Sequence, residues 1–195
     1  MTEYVHLGTG EAQGATDATS IQRVSAYWAS LRYGQPVPER SAIDARDIAQ
    51  DLPHVFLAEL VTPRVARLRI CGHHVEELFG MDMRGMPVSV MFSGAARDRL
   101  AEAFEQVGRG TRVFLSLTAE DGFGLPRMRA SLALLPLADA NGRVTRVMGV
   151  LERAGGVGRC PRRFSIAEHA DPECLANPDA IRKAPALRVI DGGKR

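Results

Sequence analysis

Cysteine is scarce in this 195-residue chain: Cys71, Cys160 and Cys174 are the three, and no C-x-x-C spacing occurs. That excludes a disulfide framework and a zinc knuckle, and it suits free thiols in a reducing compartment. Long apolar runs are absent as well. No stretch approaches the roughly 20 residues that span a bilayer, so no membrane span is expected. The polar start MTEYVHLGTGEAQG lacks the basic and apolar regions of a signal peptide, and a cytoplasmic protein is expected. Net charge is small, because 25 basic and 23 acidic residues leave only +2. Without a concentrated basic excess, nucleic acid is not an expected partner. Catalytic motifs are missing too: there is no GxSxG, no HExxH and no pair of acids in a plausible pocket. Gly8, Gly10 and Gly14, like Gly155, Gly156 and Gly158, lack the strand-to-helix context or the GK[ST] of a phosphate loop, so they read as linker glycines. No catalytic residue and no metal site is expected, and a non-enzymatic role follows.

What is present is an ordinary globular composition, 45% apolar and 25% charged, in a length that suits one domain with extensions. Residues 1–19 read as a flexible leader. Ser20 can cap a helix in which Val24, Tyr27, Trp28 and Leu31 recur at helical spacing before Gly34 and Pro36. Asp44 can cap a second short helix holding Ile48 and Leu52 and ending near Pro53. Two strand-like runs, HVFLAELV and RVARLRI, meet at Thr62 and Pro63, and alternation puts Leu68 and Ile70 on one buried face, away from Arg67 and Arg69. A short helix over 73–79 follows, closed by Gly80. Leu100, Ala103, Phe104 and Val107 mark the longest helix, after Ser93. Three more strands are expected over 112–118, 127–137 and 143–152, the last two joined at Asn141-Gly142. From Ala154 the composition turns to Gly, Pro and Arg, so 154–195 reads as a basic, mostly disordered tail. The order is that of an α+β domain over 20–153, an antiparallel sheet with helices on one face.

The segment YWASLRYGQPVPERSAIDARDIAQDLPHVFLAEL, followed by RLRICGHHVEELFGMDMRG, resembles the PAS-domain family, and within it a branch of alphaproteobacterial proteins built of a single PAS-like domain. The pieces that carry the likeness are Tyr27-Trp28 with Leu31-Arg32, Pro38 to Arg40, Asp44 to Ile48, Leu52-Pro53, Arg69 with Gly72, and Leu78 to Gly80 with Gly85. The resemblance implies a five-stranded antiparallel sheet of order 2-1-5-4-3 whose helices form a pocket, preceded by N-terminal helices. It further implies a sensory or regulatory protein that binds a small apolar ligand or a partner protein and signals by contact. A ligand-free interaction scaffold is the alternative, and a small enzyme with an unrecognised site ranks last.

On that topology the pocket would be lined by Leu68, Ile70, Phe79, Met91, Phe92, Leu100, Phe104, Val113, Leu115, Leu132 and Leu134, the same residues any core needs. The stripe Val24, Tyr27, Trp28 and Leu31 is the expected homodimer or partner surface, with packing on its own sheet as the alternative. His73 and His74 open a helix, but no histidine follows over 93–107, so a haem ligand is not expected and solvated histidines are. Cys71 lies in CGHHVEELFG rather than a flavin-type GxNCRFLQ, so it reads as a small buried apolar residue. Arg67, Arg69, Arg127 and Arg129 alternate with apolar residues and could share one face near Glu59. No cofactor is named by these residues.

Overall fold

Strand β4 (Met128–Ala138) shows how the fold is built. Strand side chains point alternately to two faces, and here both sets are apolar. Leu132 and Leu134 enter one buried cluster, while Ala133, Leu135 and Leu137 enter another. The strand therefore sits inside a sheet covered on both sides. The computed structural model describes residues 18–167. It surrounds β4 with β1 (Val55–Thr62), β2 (Val65–Cys71), β3 (Val113–Ala119), β5 (Val144–Ala154) and β6 (Phe164–Ile166). The order is β2-β1-β5-β4-β3-β6, all neighbours antiparallel. The 2-1-5-4-3 core is as expected, with a sixth strand added to the expected five.

The inner face carries α2 (His73–Glu76), a 3-10 turn at Val88–Met91 and α3 (Gly94–Gly108), which delivers Leu100, Ala103, Phe104 and Val107 to the core as its spacing requires. The outer face is covered by α1 (Ser20–Ser30) and the chain around Val37 and Ile48. Thr19, not Ser20, caps α1: its hydroxyl accepts from Gln22 N while the Gln22 amide oxygen accepts from Thr19 N, a reciprocal capping box. The second helix expected after Asp44 is instead a series of i to i+3 turns ending in a 3-10 turn at Leu52–His54. Its carbonyls bond three residues on, as between Asp44 and Asp47 and between Ile48 and Asp51. Buried Asp51 receives Arg23 of α1 at 2.5 Å, and Asp44 N donates to the Tyr27 hydroxyl at 2.8 Å, so the turns are tied to α1.

β6 corrects the reading of 154 onward as tail. Phe164 and Ile166 are buried and Ser165 exposed, a strand pattern too short for periodicity to reveal, and it pairs the otherwise open edge of β3. Arg162 anchors the approach. At 1% exposure its guanidinium donates to the carbonyls of Val157 at 2.6 Å, Glu120 at 2.7 Å and Pro126 at 2.8 Å. Most of the expected leader, and the tail from 168, lie outside the described residues.

Candidate functional site

Ten of the eleven residues expected to line a pocket meet on the inner face. Leu68, Phe79, Met91, Phe92, Leu100, Phe104, Val113, Leu132 and Leu134 are buried in one cluster, and Leu115 packs against it partly exposed. They close on one another and on Val75, Leu78 and Val88, as a core does. Ile70 is the exception, 55% exposed on the other face. The cause is a β-bulge: Ala58 pairs with Leu68 but Leu57 pairs with Ile70, so Arg69 is an extra residue and the alternation inverts past it. Cys71, next along, turns inward against the core in its place. Burial, with the nearby charges of Glu76 and Asp82, pushes its thiol up to about 12, which leaves it an inert free thiol. Cys160 is also free, while Cys174 lies outside the described residues.

Open space lies where Ile70 emerges. A cleft of about 490 Å³ runs between the turns at 40–53 and the outer face of β1 and β2. Ile43, Ile48, Leu52, Leu57, Ile70 and Met148 give it apolar walls, with His73 also on its lining. A second hollow of about 470 Å³ shares Arg40, Leu57 and Ile70 with the first and continues it over Glu59, Arg69 and Arg146. Glu59 stands opposite Arg146 across β1 and β5, and the bulge brings Arg69 to the same carboxylate. Arg69 Nη2 lies 2.7 Å and Arg146 Nη1 2.9 Å from Glu59 Oε2. The hydrogen bond from Arg69, then that from Arg146, holds the Glu59 carboxyl below the usual carboxylate range. Arg40 has no ion pair among the described residues, so three guanidinium groups here face one carboxylate.

The four arginines expected to share a face are dispersed. Arg69 belongs to this cluster, Arg67 donates to the Gly85 carbonyl at 3.0 Å, Arg127 lies 3.7 Å from Asp121, and Arg129 borders a separate hollow with Arg23 and Glu152. The α1 stripe packs on the protein's own sheet. Val24 and Trp28 are buried in the outer core, with Tyr27 packed against it, and Trp28 Nε1 donates to the Pro136 carbonyl at 2.7 Å. Leu31 caps the helix end, half-buried.

His54, His73 and His74 gather where β1 starts and β2 ends. The ring centroids of His54 and His74 are 4.5 Å apart, and those of His73 and His74 are 4.3 Å apart. Gly72 makes the approach feasible: a Cβ there would lie 2.2 Å from the Leu52 carbonyl oxygen and 2.4 Å from that of Pro53. Burial first, then the two neighbouring histidines, lowers the pKa of His74 below the ordinary histidine value.

A model of the PAS domain family matches residues 16–152. The chain belongs to the PAS family. No curated protein matches it. Among solved structures, the dark state of the blue-light photoreceptor Aureochrome1 LOV is 16% identical, covering 60% of this chain and 86% of that one, at a TM-score of 0.44. A fungal LOV domain photoreceptor is 15% identical, covering 59% and 94%, at 0.40. An RNA-binding Light-Oxygen-Voltage receptor is 18% identical, at 0.42, and the alignment spans 59% of this chain and 35% of that receptor. Likeness at this level says nothing of a ligand. PAS domains are in general sensory or regulatory modules, and among the described residues no helix is long and apolar enough to cross a membrane. The PAS resemblance directed the expected pocket to the inner face. The outer cleft escaped because Arg40, Leu57, Ile70 and Met148 come from separate segments that only the sheet brings together.

Proposed function

We propose that this PAS module is a non-enzymatic regulator that binds an elongated apolar molecule carrying one acidic group, in the outer cleft. The observation that carries the reading is the continuity of an apolar hollow with a cluster of three arginines and one glutamate. Apolar walls contribute roughly 25 cal/mol for each Å² of ligand surface removed from water, and the guanidinium groups orient the acid and select for it. One rim of the cleft consists of turns rather than helix, and Arg23–Asp51 and Tyr27–Asp44 link that rim to α1. Occupancy that shifts the rim therefore biases α1, and the signal passes to another protein by contact. A ligand-free interaction scaffold is the second reading, favoured by the close packing of the inner core.

Two dyes separate these readings. Anilinonaphthalene sulfonate is apolar with one anionic group, and Nile red is apolar and neutral. The wild-type chain should bind both saturably. Replacing Arg69 and Arg146 with Gln should weaken the sulfonate dye alone, and Ile70→Glu should abolish both signals while the circular dichroism spectrum is kept. Native mass spectrometry of freshly purified protein should show a retained adduct. Dye signals indifferent to Ile70→Glu, together with a bare mass, would leave the scaffold standing.

A further inference from the structure

His73 and Glu77 are four residues apart, and His74 and Glu77 three apart, spacings that bring side chains to one side of a helical turn. Their ligand atoms all lie within 4.8 Å of one another. We propose that His73, His74 and Glu77 bind a single divalent transition-metal ion of the zinc type, with His54 orienting His74. The site adjoins the cleft through His73, which also borders it, but does not require the cleft to hold a ligand.

The hydrogen-bond chain behind the cluster assigns the protons. Leu151 O, 3.3 Å from His54 Nδ1, can only accept, so that nitrogen carries a hydrogen, and in the neutral tautomer this selects, His54 Nε2 is the bare one. His54 Nε2 lies 3.2 Å from His74 Nδ1 and accepts from it. With Nδ1 donating to His54, the lone pair of the His74 ring lies on Nε2, where a metal can take it. An imidazole whose other N–H is held by a fixed acceptor is the usual arrangement of a metal ligand, since it sets both tautomer and ring plane.

The donor set decides the metal. Two imidazoles and a carboxylate suit borderline ions such as Zn²⁺, which takes nitrogen and oxygen ligands at about 2.0–2.2 Å. Donor atoms around a tetrahedral ion then stand about 3.4 Å apart by that bond length, so closure from the present spread needs about an ångström of movement. His73 and Glu77 are exposed, which leaves room for that movement. Glu77 Oε2 also holds Arg153 Nη2 at 3.0 Å, which leaves Oε1 for the ion and places a positive charge nearby. Affinity should accordingly be micromolar. The remaining coordination positions fall to water or to an external ligand.

The test is calorimetric titration of the full chain, its affinity tag removed and its metals stripped by chelator, with Zn²⁺ alone. One ion should bind per chain. His73→Ala should weaken binding at least tenfold with an unchanged circular dichroism spectrum. His54→Leu should cost about tenfold to a hundredfold, while His54→Gln, which can still accept from His74, should restore most of that loss. A His6→Gln, His169→Gln variant serves as control and should bind as wild type. Absence of binding, binding indifferent to His73→Ala, or binding lost in the control would each overturn the site.

Discussion

Removing Trp28 tests whether α1 belongs to the core or to an interface. Trp28 is 2% exposed, lies in the outer core with Val24, and donates its indole N–H to Pro136 O at 2.7 Å. The guanidinium groups of Arg112 and Arg32 lie 5.4 and 5.9 Å from its ring centroid. Truncating a buried tryptophan to alanine costs about 3–5 kcal/mol, and a backbone carbonyl stripped of its donor adds about 1 kcal/mol. Trp28→Ala should therefore cost about 4–6 kcal/mol, against the roughly 5–15 kcal/mol that holds a domain folded. With a urea slope near 2 kcal/mol/M, the midpoint should fall by about 2–3 M. Trp28→Phe keeps most of the ring and loses the donor, so about 1–2 kcal/mol should go. Circular dichroism is the assay, because the variants remove the chain's one tryptophan, run beside light scattering for mass. A Trp28→Ala protein with an unmoved midpoint and a mass halved relative to wild type would refute the packing argument and make α1 an interface.

Three further outcomes follow from the same geometry. Gly149 faces Phe56 across β5 and β1, and a Cβ there would lie 2.0 Å from the Phe56 ring; Gly149→Ala should cost about 1–3 kcal/mol by overpacking, and a urea midpoint equal to wild type would contradict it. Arg162→Met should leave the carbonyls of Val157, Glu120 and Pro126 without their donor, cost about 2–4 kcal/mol, and speed proteolysis near 155–167; unchanged cleavage there would show that the anchor is dispensable. Glu59 has a depressed pKa in the folded state, so its contribution is present above the ordinary carboxylate value of about 4.3. As pH falls below that, the unfolded chain takes up the proton first and the contribution is lost. The stability difference between wild type and Glu59→Gln should therefore shrink between neutral pH and pH 3, and a difference constant with pH would count against the Arg69 and Arg146 pairs.

Local information was enough for most of the sheet. Runs such as SLALLPLA and RVMGVL read as core strands by their length and by the turn residues between them, and Gly and Asn punctuated them well enough to place β1 to β5 within a residue or two. Helical spacing gave α1 and α3, and the order and spacing of the PAS-like pieces gave the 2-1-5-4-3 arrangement. β6 was illegible because three residues carry no period, and its edge position depends on the free flank of β3. The bulge at Arg69 was illegible because it exists only in the pairing with β1, and it alone sends Ile70 outward. The same limit hid the cleft and the histidine cluster. His54 lies 20 residues from His74 in sequence, and the two meet only because Gly72 admits the backbone of Leu52 and Pro53. Sequence by itself determined which segments are strand, helix or turn, since those depend on neighbours a few residues away. Tertiary structure decided which face each residue meets and which distant side chains share a site, since both depend on register and packing between segments that the chain order leaves apart.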